Sequence, residues 1–165
     1  MRPVVWSLKL WPPTPASYLD AAWHLDQRRH VETSSFGATA NLAVRRDVLR
    51  TQRFDSSLRS GGDREFCRRV GAGGGRIAYT ADAVVDHPAR ATSASLRTKV
   101  ARIAEGVAVA PDPPPRPSLA PIEALRHLRA ASRAGAVRTP GQAWELLSLW
   151  SYRARQIRAA LARRD

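Results

Sequence analysis

The chain has 165 residues and a formal net charge of +13, with 27 Lys or Arg residues against 14 Asp or Glu residues. This length suits one domain of ordinary size, and a hydrophobic fraction of 44% is enough for a packed core. The charge favours anionic partners such as nucleic acid, anionic lipid or phosphorylated substrates. A GC-rich genome is the alternative explanation, because Arg, Ala, Gly and Pro are enriched together and the basic residues are spread along the chain.

Cysteine content and hydropathy narrow the class of protein further. Cys67 is the single cysteine, so no internal disulfide can form, which fits a reducing cytoplasmic compartment. The apolar start of the chain is too short for a signal peptide and lacks a small-residue cleavage site. No segment approaches the roughly 18 apolar residues of a membrane span. The sequence therefore predicts a soluble or peripheral protein.

The composition divides the chain into four regions. Residues 1–35 contain a short apolar start, a proline-rich loop and a predicted helix over about 18–30. Residues 36–110 form the most organised region. Residues 111–117, PDPPPRP, are expected to be a stiff, polyproline-like linker, and residues 118–165 are expected to be a basic helical region.

Strand and helix patterns alternate in the organised region. The run ATANLAV (38–44) predicts a strand, and RDVLRT (46–51) predicts one or two helical turns. The run DREFCRRVGA (63–72) predicts a helix, because its apolar residues recur at three- and four-residue spacing. The runs RIAYT (76–80) and AVVDH (83–87) predict two further short strands.

The glycine run at 71–75, GAGGG, does not predict a phosphate-binding loop. A dinucleotide loop follows a strand and opens a helix, whereas this run follows a predicted helix and precedes a predicted strand. Termination of the helix by a left-handed glycine is the better explanation. Cys67 is predicted to be a small buried hydrophobe, and His24, His30 and His127 have no partner at a metal-ligand spacing.

Further helices are predicted over about 96–109, over about 121–134 and from Thr139. The last helix begins with TPGQ, which offers an N-cap threonine, a proline at the first helical position and a glutamine at N3. It is either an interfacial helix on an anionic membrane or a helix that packs on the rest of the protein with its arginines in solvent. Its apolar residues can share one face: Trp144, Leu147, Trp150, Ile157 and Leu161.

Two residues lie where functional groups often gather in α/β proteins. His87 follows an apolar strand pattern, and ligands collect at strand ends in such folds. Asp63 opens a predicted helix, where free backbone N–H groups and the helix dipole stabilise a carboxylate. The local pattern leaves two interpretations of Asp63 open, an ordinary first-turn carboxylate and a catalytic base.

Three segments taken in order resemble the acceptor-side half of a family 2 glycosyltransferase: ATANLAVRRDVL, RFDSSLRSGGDREFCRRV and GRIAYTADAVVDHPAR. The resemblance covers about residues 36–90, roughly a third of the chain. The matching elements are Asn41, Arg45 and Arg46, the RFD turn at 53–55, Asp63, Arg68 or Arg69, the glycines at 73–75, and His87.

This resemblance implies an α/β fold of the GT-A type. The chain would hold a partial, Rossmann-like domain that lacks its N-terminal nucleotide-binding half and is followed by C-terminal helices. Two departures stand out: Gly62 occupies the position where the family often has glutamate, and the chain contains no Asp-x-Asp motif. The resemblance therefore implies a truncated enzyme or one that a partner chain completes.

The resemblance also implies a reaction and its participants. An inverting transfer would move a sugar from a nucleotide-sugar donor to the hydroxyl of a glycan, lipid or small-molecule acceptor, with Asp63 as base. A divalent metal, Mg or Mn, and basic groups would stabilise the diphosphate leaving group. The residues assigned by the resemblance are His87 near the metal or pyrophosphate, Asn41 on the acceptor side, and Arg68, Arg69 and Arg90 for charge stabilisation.

Two other functions are weighed against this one. A basic protein that binds nucleic acid or another anionic surface is supported by charge alone, because no helix-turn-helix spacing, zinc pattern or aromatic-rich sheet motif is visible. A non-catalytic remnant would keep the second half of an enzyme as a scaffold. The predicted location is the cytoplasm, and the alternative is peripheral association with the inner face of the membrane.

Overall fold

The computed structural model describes residues 13–111 and 113–164, and the apolar start of the chain and Asp112 of the linker lie outside this part. Helical turns account for 61% of the described residues, and none of these residues lies in a β-strand. The predicted α/β, Rossmann-like fold of the GT-A type is therefore wrong. The helices are α1 (Pro15–Asp20), α2 (Gln27–Ser34), α3 (Arg46–Thr51), α4 (Gly62–Ala72), α5 (Ser93–Val109), α6 (Pro121–Arg133) and α7 (Pro140–Ala162), with a π-helical turn at Ala21–Leu25 and a 3₁₀ turn at Thr39–Asn41.

The three runs predicted as strands have extended or irregular backbones without strand pairing in the described part of the chain. The first contains the 3₁₀ turn, and Leu42 directly after it is extended, with φ −122° and ψ 111°. In the last run the N–H of Val84 donates locally to the carbonyl of Asp82 at 3.1 Å, and Val84 is 65% exposed. A strand is stable only when a neighbour supplies its ladder hydrogen bonds. The residues of these runs predicted an extended backbone. A β-strand also needs a neighbouring strand with which it can pair.

Side chains cap the first turns of α1 and α7. In α7 the Thr139 side chain accepts a hydrogen bond from the N–H of Gln142 at 3.3 Å, and Gln142 Oε1 accepts from the N–H of Thr139 at 3.2 Å. This reciprocal pair confirms the capping box predicted from TPGQ. Thr14 and Ser17 form the same arrangement at the start of α1.

The glycine run after α4 ends the helix as predicted. Gly74 has a left-handed backbone with φ 82°, which a side chain would strain. The N–H of Gly75 donates to the carbonyl of Val70 at 2.9 Å, and the N–H of Gly74 donates to the carbonyl of Gly71 at 3.0 Å. These two bonds form a Schellman motif, which satisfies the last carbonyls of the helix.

The main core lies between α1, the π-helical turn, α5, α6 and α7, which together we call the helical body. The apolar face of α7 packs along α5 and also contacts α1 and α6. Packing on the rest of the protein therefore accounts for most of this face, although Trp144 remains 75% exposed. The buried residues are Ala16, Leu19, Leu96, Val100, Ala131, Ala136, Val137, Leu146 and Leu149, with a second cluster of Ala104, Val107, Ile157, Ala160 and Leu161.

A smaller cluster forms around α4, in what we call the α4 region (residues 36–90). Phe66, Cys67 and Val70 are buried there, which confirms the predicted burial of Cys67. The partly buried side chains around them come from the flanking segments: Phe36, Leu42, Val44, Val48, Leu49 and Ile77.

The α4 region contacts the helical body through close backbone packing on α5. A Cβ atom added to Gly106 of α5 would lie 2.6 Å from the carbonyl oxygen of Ser60. The Arg102 guanidinium also donates to the carbonyl of Arg59 at 3.2 Å. Ser60 lies directly before Gly61, the left-handed N-cap of α4, so this contact positions the start of α4.

Candidate functional site

Asp63 lies in the first turn of α4, at the junction with the 3₁₀ turn. Its Oδ1 accepts a hydrogen bond from the N–H of Arg64 at 2.9 Å, and its Oδ2 accepts a long one from the N–H of Thr39 at 3.4 Å. The side chain is half-buried. Asp63 thus has the geometry of a first-turn carboxylate and still contacts solvent, so both interpretations of this residue remain compatible with its position.

Asn41 connects this junction to the segment that leads to His87. Its Nδ2 donates to the carbonyl of Ala83 at 2.9 Å. The 3₁₀ turn that contains Asn41 also contacts Asp63 through the N–H of Thr39. Three segments that are distant in sequence therefore meet at one place, which we call the Asp63 junction.

The two predicted arginines of α4 face a carboxylate that the sequence analysis did not single out. Arg69 Nε lies 2.6 Å from Glu65 Oε1, and its terminal nitrogen donates to the carbonyl of Arg53 at 2.5 Å. The hydrogen bond to Glu65 raises the pKa of Arg69. Arg68 lies farther away, at 3.7 Å from the same Glu65 oxygen. The spacing of four residues between Glu65 and Arg69 was the available signal for this pair.

Arg90 and His87 are not joined with Arg68 and Arg69. The N–H of Arg90 donates to Asp20 Oδ2 at 2.9 Å, and its guanidinium lies 3.7 Å from the same oxygen. His87 is exposed in the irregular segment after Ala83. Within residues 13–111 and 113–164, no three His, Cys, Asp or Glu side chains are grouped so that they could hold a metal ion.

A buried charged cluster in the helical body was missed by the sequence analysis. Asp20, at the end of α1, has no exposed surface. His24 Nδ1 lies 2.9 Å from Asp20 Oδ1, and Lys99 Nζ of α5 lies 2.7 Å from the same oxygen. We call these residues, together with Arg90, the Asp20 cluster. The available signals were the four-residue spacing of Asp20 and His24 and the presence of a lysine at 99 in a chain whose basic residues are nearly all arginine.

Burial and hydrogen bonding determine the protonation states of this cluster. Burial alone would raise the pKa of Asp20, but hydrogen bonds from His24, Lys99 and the Arg90 N–H outweigh it and hold that pKa well below its usual range. Burial lowers the pKa of His24 to about 4, against an opposing effect of its bond to Asp20. At neutral pH Asp20 is therefore ionised, and neutral His24 carries its proton on Nδ1 because a carboxylate can only accept.

The Asp20 cluster connects the helical body to the end of the α4 region. It joins α1, α5 and the segment at Arg90 through one carboxylate. Because Asp20 is completely buried, no substrate can contact it directly. The Asp20 cluster therefore has a structural role, because it holds α1, α5 and the segment at Arg90 together.

Comparisons with known proteins found no relative for this chain. A scan against protein-family models, a search of curated proteins and a search of solved structures each returned no match. Among the helices of the described residues, none has both the length and the apolar composition to cross a bilayer. The functional proposals below are supported by the residue pattern and the geometry of the described residues.

Proposed function

We propose that the α4 region supplies the acceptor-side base of an inverting glycosyltransferase and that Asp63 is this base. The supporting observation is the Asp63 junction, where the 3₁₀ turn, the start of α4 and the carbonyl of Ala83 meet. These are separate elements of the sequence pattern that resembles family 2 glycosyltransferases. The proposal depends on this junction and does not use an α/β fold.

The chemistry requires a partly exposed carboxylate. The acceptor hydroxyl oxygen attacks the anomeric carbon of the donor while the bond from that carbon to the diphosphate oxygen breaks. The hydroxyl proton passes to Asp63, and the diphosphate leaves with the bonding electron pair. Oδ2 of Asp63 has the weaker of its two hydrogen bonds, at 3.4 Å to Thr39, and is therefore the oxygen that takes the proton.

The donor side of the reaction is carried over from the resemblance. It comprises a nucleotide-sugar donor, a divalent metal (Mg or Mn) and an acceptor that is a glycan, a lipid or a small molecule. In the described part of the chain no metal-ligating group accompanies His87, so no step is derived through a metal. A partner chain would supply the remaining ligands. The charge-stabilising roles of Arg68, Arg69 and Arg90 are carried over from the resemblance, although Arg69 binds Glu65 and Arg90 binds Asp20 at a separate place.

The experiment compares sugar transfer by wild type and by Asp63→Asn, each in a reconstructed enzyme in which a nucleotide-binding unit with an Asp-x-Asp motif completes the chain. A panel of labelled nucleotide sugars is offered with Mg²⁺ or Mn²⁺, and both transfer and donor hydrolysis are measured. We expect Asp63→Asn to lower the rate by roughly 10²–10⁴-fold, since that is the usual contribution of a general base. Asp47→Asn changes an exposed carboxylate of α3 and should leave the rate unchanged. Equal rates for wild type and Asp63→Asn, or no turnover of any donor, would contradict the proposal.

A second proposal is peripheral association with an anionic membrane, at the inner face in a cytoplasmic location. Ile122 and Leu125 of α6 are exposed by 52% and 38%, and Trp144 of α7 is exposed by 75%. Apolar side chains beside arginines suit the interface between acyl chains and anionic headgroups. The exposed arginines that share a face of α6 with Ile122, by three- and four-residue spacing, are Arg126, Arg129 and Arg133.

Vesicle co-sedimentation tests the membrane proposal. Wild-type protein should sediment with phosphatidylglycerol vesicles at low salt and remain in solution with phosphatidylcholine vesicles. Ile122→Asp should reduce the bound fraction, while Val84→Asp, a matched change at an exposed valine of the α4 region, should not. Absence of sedimentation with anionic vesicles would exclude this association.

A further inference from the structure

A basic groove lies between the end of α2, one face of α4 and the segment that follows the glycine run. Its volume is about 410 Å³, within the range of small-molecule sites. Arg64 and Arg68 contribute from successive turns of α4, and Arg76 contributes from the following segment. Ser34 and Ser35, at the end of α2, also line the groove. Among the described residues that line the groove, none is acidic.

The charges around this groove favour an anion. The exposed arginines Arg68 and Arg76 line a cavity that has no acidic residue in the described part of its lining, and a bound anion would compensate their charge. Glu65 lies 3.7 Å from Arg68 and already binds Arg69 at 2.6 Å. Arg68 and Arg76 are exposed, so their guanidinium groups can turn toward a ligand. Planar guanidinium groups match the oxygen pairs of phosphates.

The backbone of Ser35 supports a ligand role for the groove. Ser35 has φ 49° and is the single non-glycine residue in the described part of the chain with a left-handed backbone. Glycine is the residue that normally occupies this position after a helix, because a side chain there costs free energy. A serine at this position keeps a hydroxyl donor at the edge of the groove.

We propose that this groove binds a small ligand through a phosphate or diphosphate group. Arg68 and Arg76 would donate charge-assisted hydrogen bonds to the phosphate oxygens, Arg64 would add positive charge, and the Ser35 hydroxyl would donate a further bond. The phosphate can belong to a soluble nucleotide or to a lipid headgroup, and both share this chemistry. The groove shares Arg68 with the proposed glycosyl transfer, but phosphate binding there does not require Asp63 to act as a base.

Calorimetric titration with inorganic pyrophosphate at low salt tests the groove. We expect saturable binding, with Kd raised about tenfold or more in Arg68→Ala and in Arg76→Ala, since a hydrogen bond to a charged group has this effect. The control is Arg155→Ala on the exposed side of α7, which removes the same charge far from the groove lining and should leave Kd unchanged. Asp63→Asn should not weaken pyrophosphate binding, although it should lower the rate of sugar transfer, which separates this proposal from the glycosyltransferase proposal.

A second variant keeps the test valid if the arginine variants unfold. Ser35→Gly relaxes the left-handed backbone and removes the hydroxyl, so it should raise the melting temperature of the free protein while weakening pyrophosphate binding. A higher melting temperature with an unchanged Kd would show a purely structural role of Ser35 and would contradict the site as proposed.

Competition identifies the source of the phosphate. Uridine and adenosine diphosphates that bind more tightly than pyrophosphate would indicate a soluble nucleotide. Displacement of pyrophosphate by vesicles that contain phosphatidic acid, but not by phosphatidylcholine vesicles, would indicate a lipid headgroup. Either result supports a phosphate site. No saturable binding at millimolar pyrophosphate, or an equal loss in Arg155→Ala, would overturn it.

Discussion

The helical body and the α4 region place their charged groups in opposite ways. In the helical body Asp20 is fully buried and accepts from three donors on three elements. In the α4 region the arginines around the groove and the carboxylate of Asp63 are partly or fully exposed. A buried, fully bonded charge stabilises the arrangement of its partners, whereas an exposed one can still bind a ligand. This contrast explains why the proposed base and the proposed phosphate site lie around α4, whereas the Asp20 cluster has a structural role.

The largest expected effect is the loss of the carboxylate of Asp20. Asp20→Ala leaves the nearly buried Lys99 ammonium without its ionic partner, and such a loss destabilises proteins by about 3–5 kcal/mol. Urea unfolding measures it. The double variant Asp20→Asn with Lys99→Met removes both charges and should be less destabilised than Asp20→Ala. A loss below about 1 kcal/mol for Asp20→Ala would contradict the role of this cluster.

The pH dependence of stability should follow from His24. Its pKa in the folded protein is about 4, below the ordinary 6.5, so its contribution is complete above pH 6.5 and is lost as the pH falls toward 4. The difference between these two pKa values of His24 corresponds to a loss of about 3 kcal/mol in the free energy of unfolding. Burial also lowers the pKa values of His30 and His127, which act in the same direction. Asp20, whose pKa is held low, adds a further loss only below the ordinary carboxylate range.

The measurement is the free energy of unfolding at pH 7.0 and pH 4.5 for wild type and His24→Gln. Gln at this position can still donate to Asp20 but does not titrate, so the drop between the two pH values should become smaller. An unchanged drop in His24→Gln would show that other groups cause the acid sensitivity.

The contact between the two regions is tested at Gly106. Gly106→Ala places a Cβ 2.6 Å from the carbonyl oxygen of Ser60, and backbone at this distance cannot yield without a shift of the segment before α4. We expect a loss of about 1–3 kcal/mol, despite the higher helix propensity of alanine. Hydrogen exchange should become faster at the start of α4 and remain slow at the centre of α7. A stabilised variant would show that the segment at Ser60 does not pack on α5 in solution.

Local rules predicted most of the helices, but the helix predicted over about 18–30 is divided into α1, a π-helical turn and α2. The same rules predicted contacts between distant segments poorly. The capping residues at Thr139 and the glycines after α4 act within a few residues, so both helix boundaries could be predicted from the sequence. The strand predictions failed because pairing depends on a neighbour that the local pattern does not specify. The Asp20 cluster could not be predicted either, since Lys99 lies 79 residues from Asp20 in the chain. The predicted region boundaries and the site roles of Asn41, Asp63 and His87 stay predictions.

The smallest expected effect comes from Gly71, which is the counterpart of Gly106 in the α4 region. A Cβ added to Gly71 of α4 meets no atom within 4 Å, so Gly71→Ala adds helix propensity without a clash. We expect a gain of up to about 1 kcal/mol in unfolding free energy by urea titration. Because the same substitution should destabilise at Gly106, the pair separates packing from propensity. A lower free energy of unfolding for Gly71→Ala would indicate that neighbouring side chains fill the space beside Gly71. The groove would then have a volume smaller than about 410 Å³ in solution.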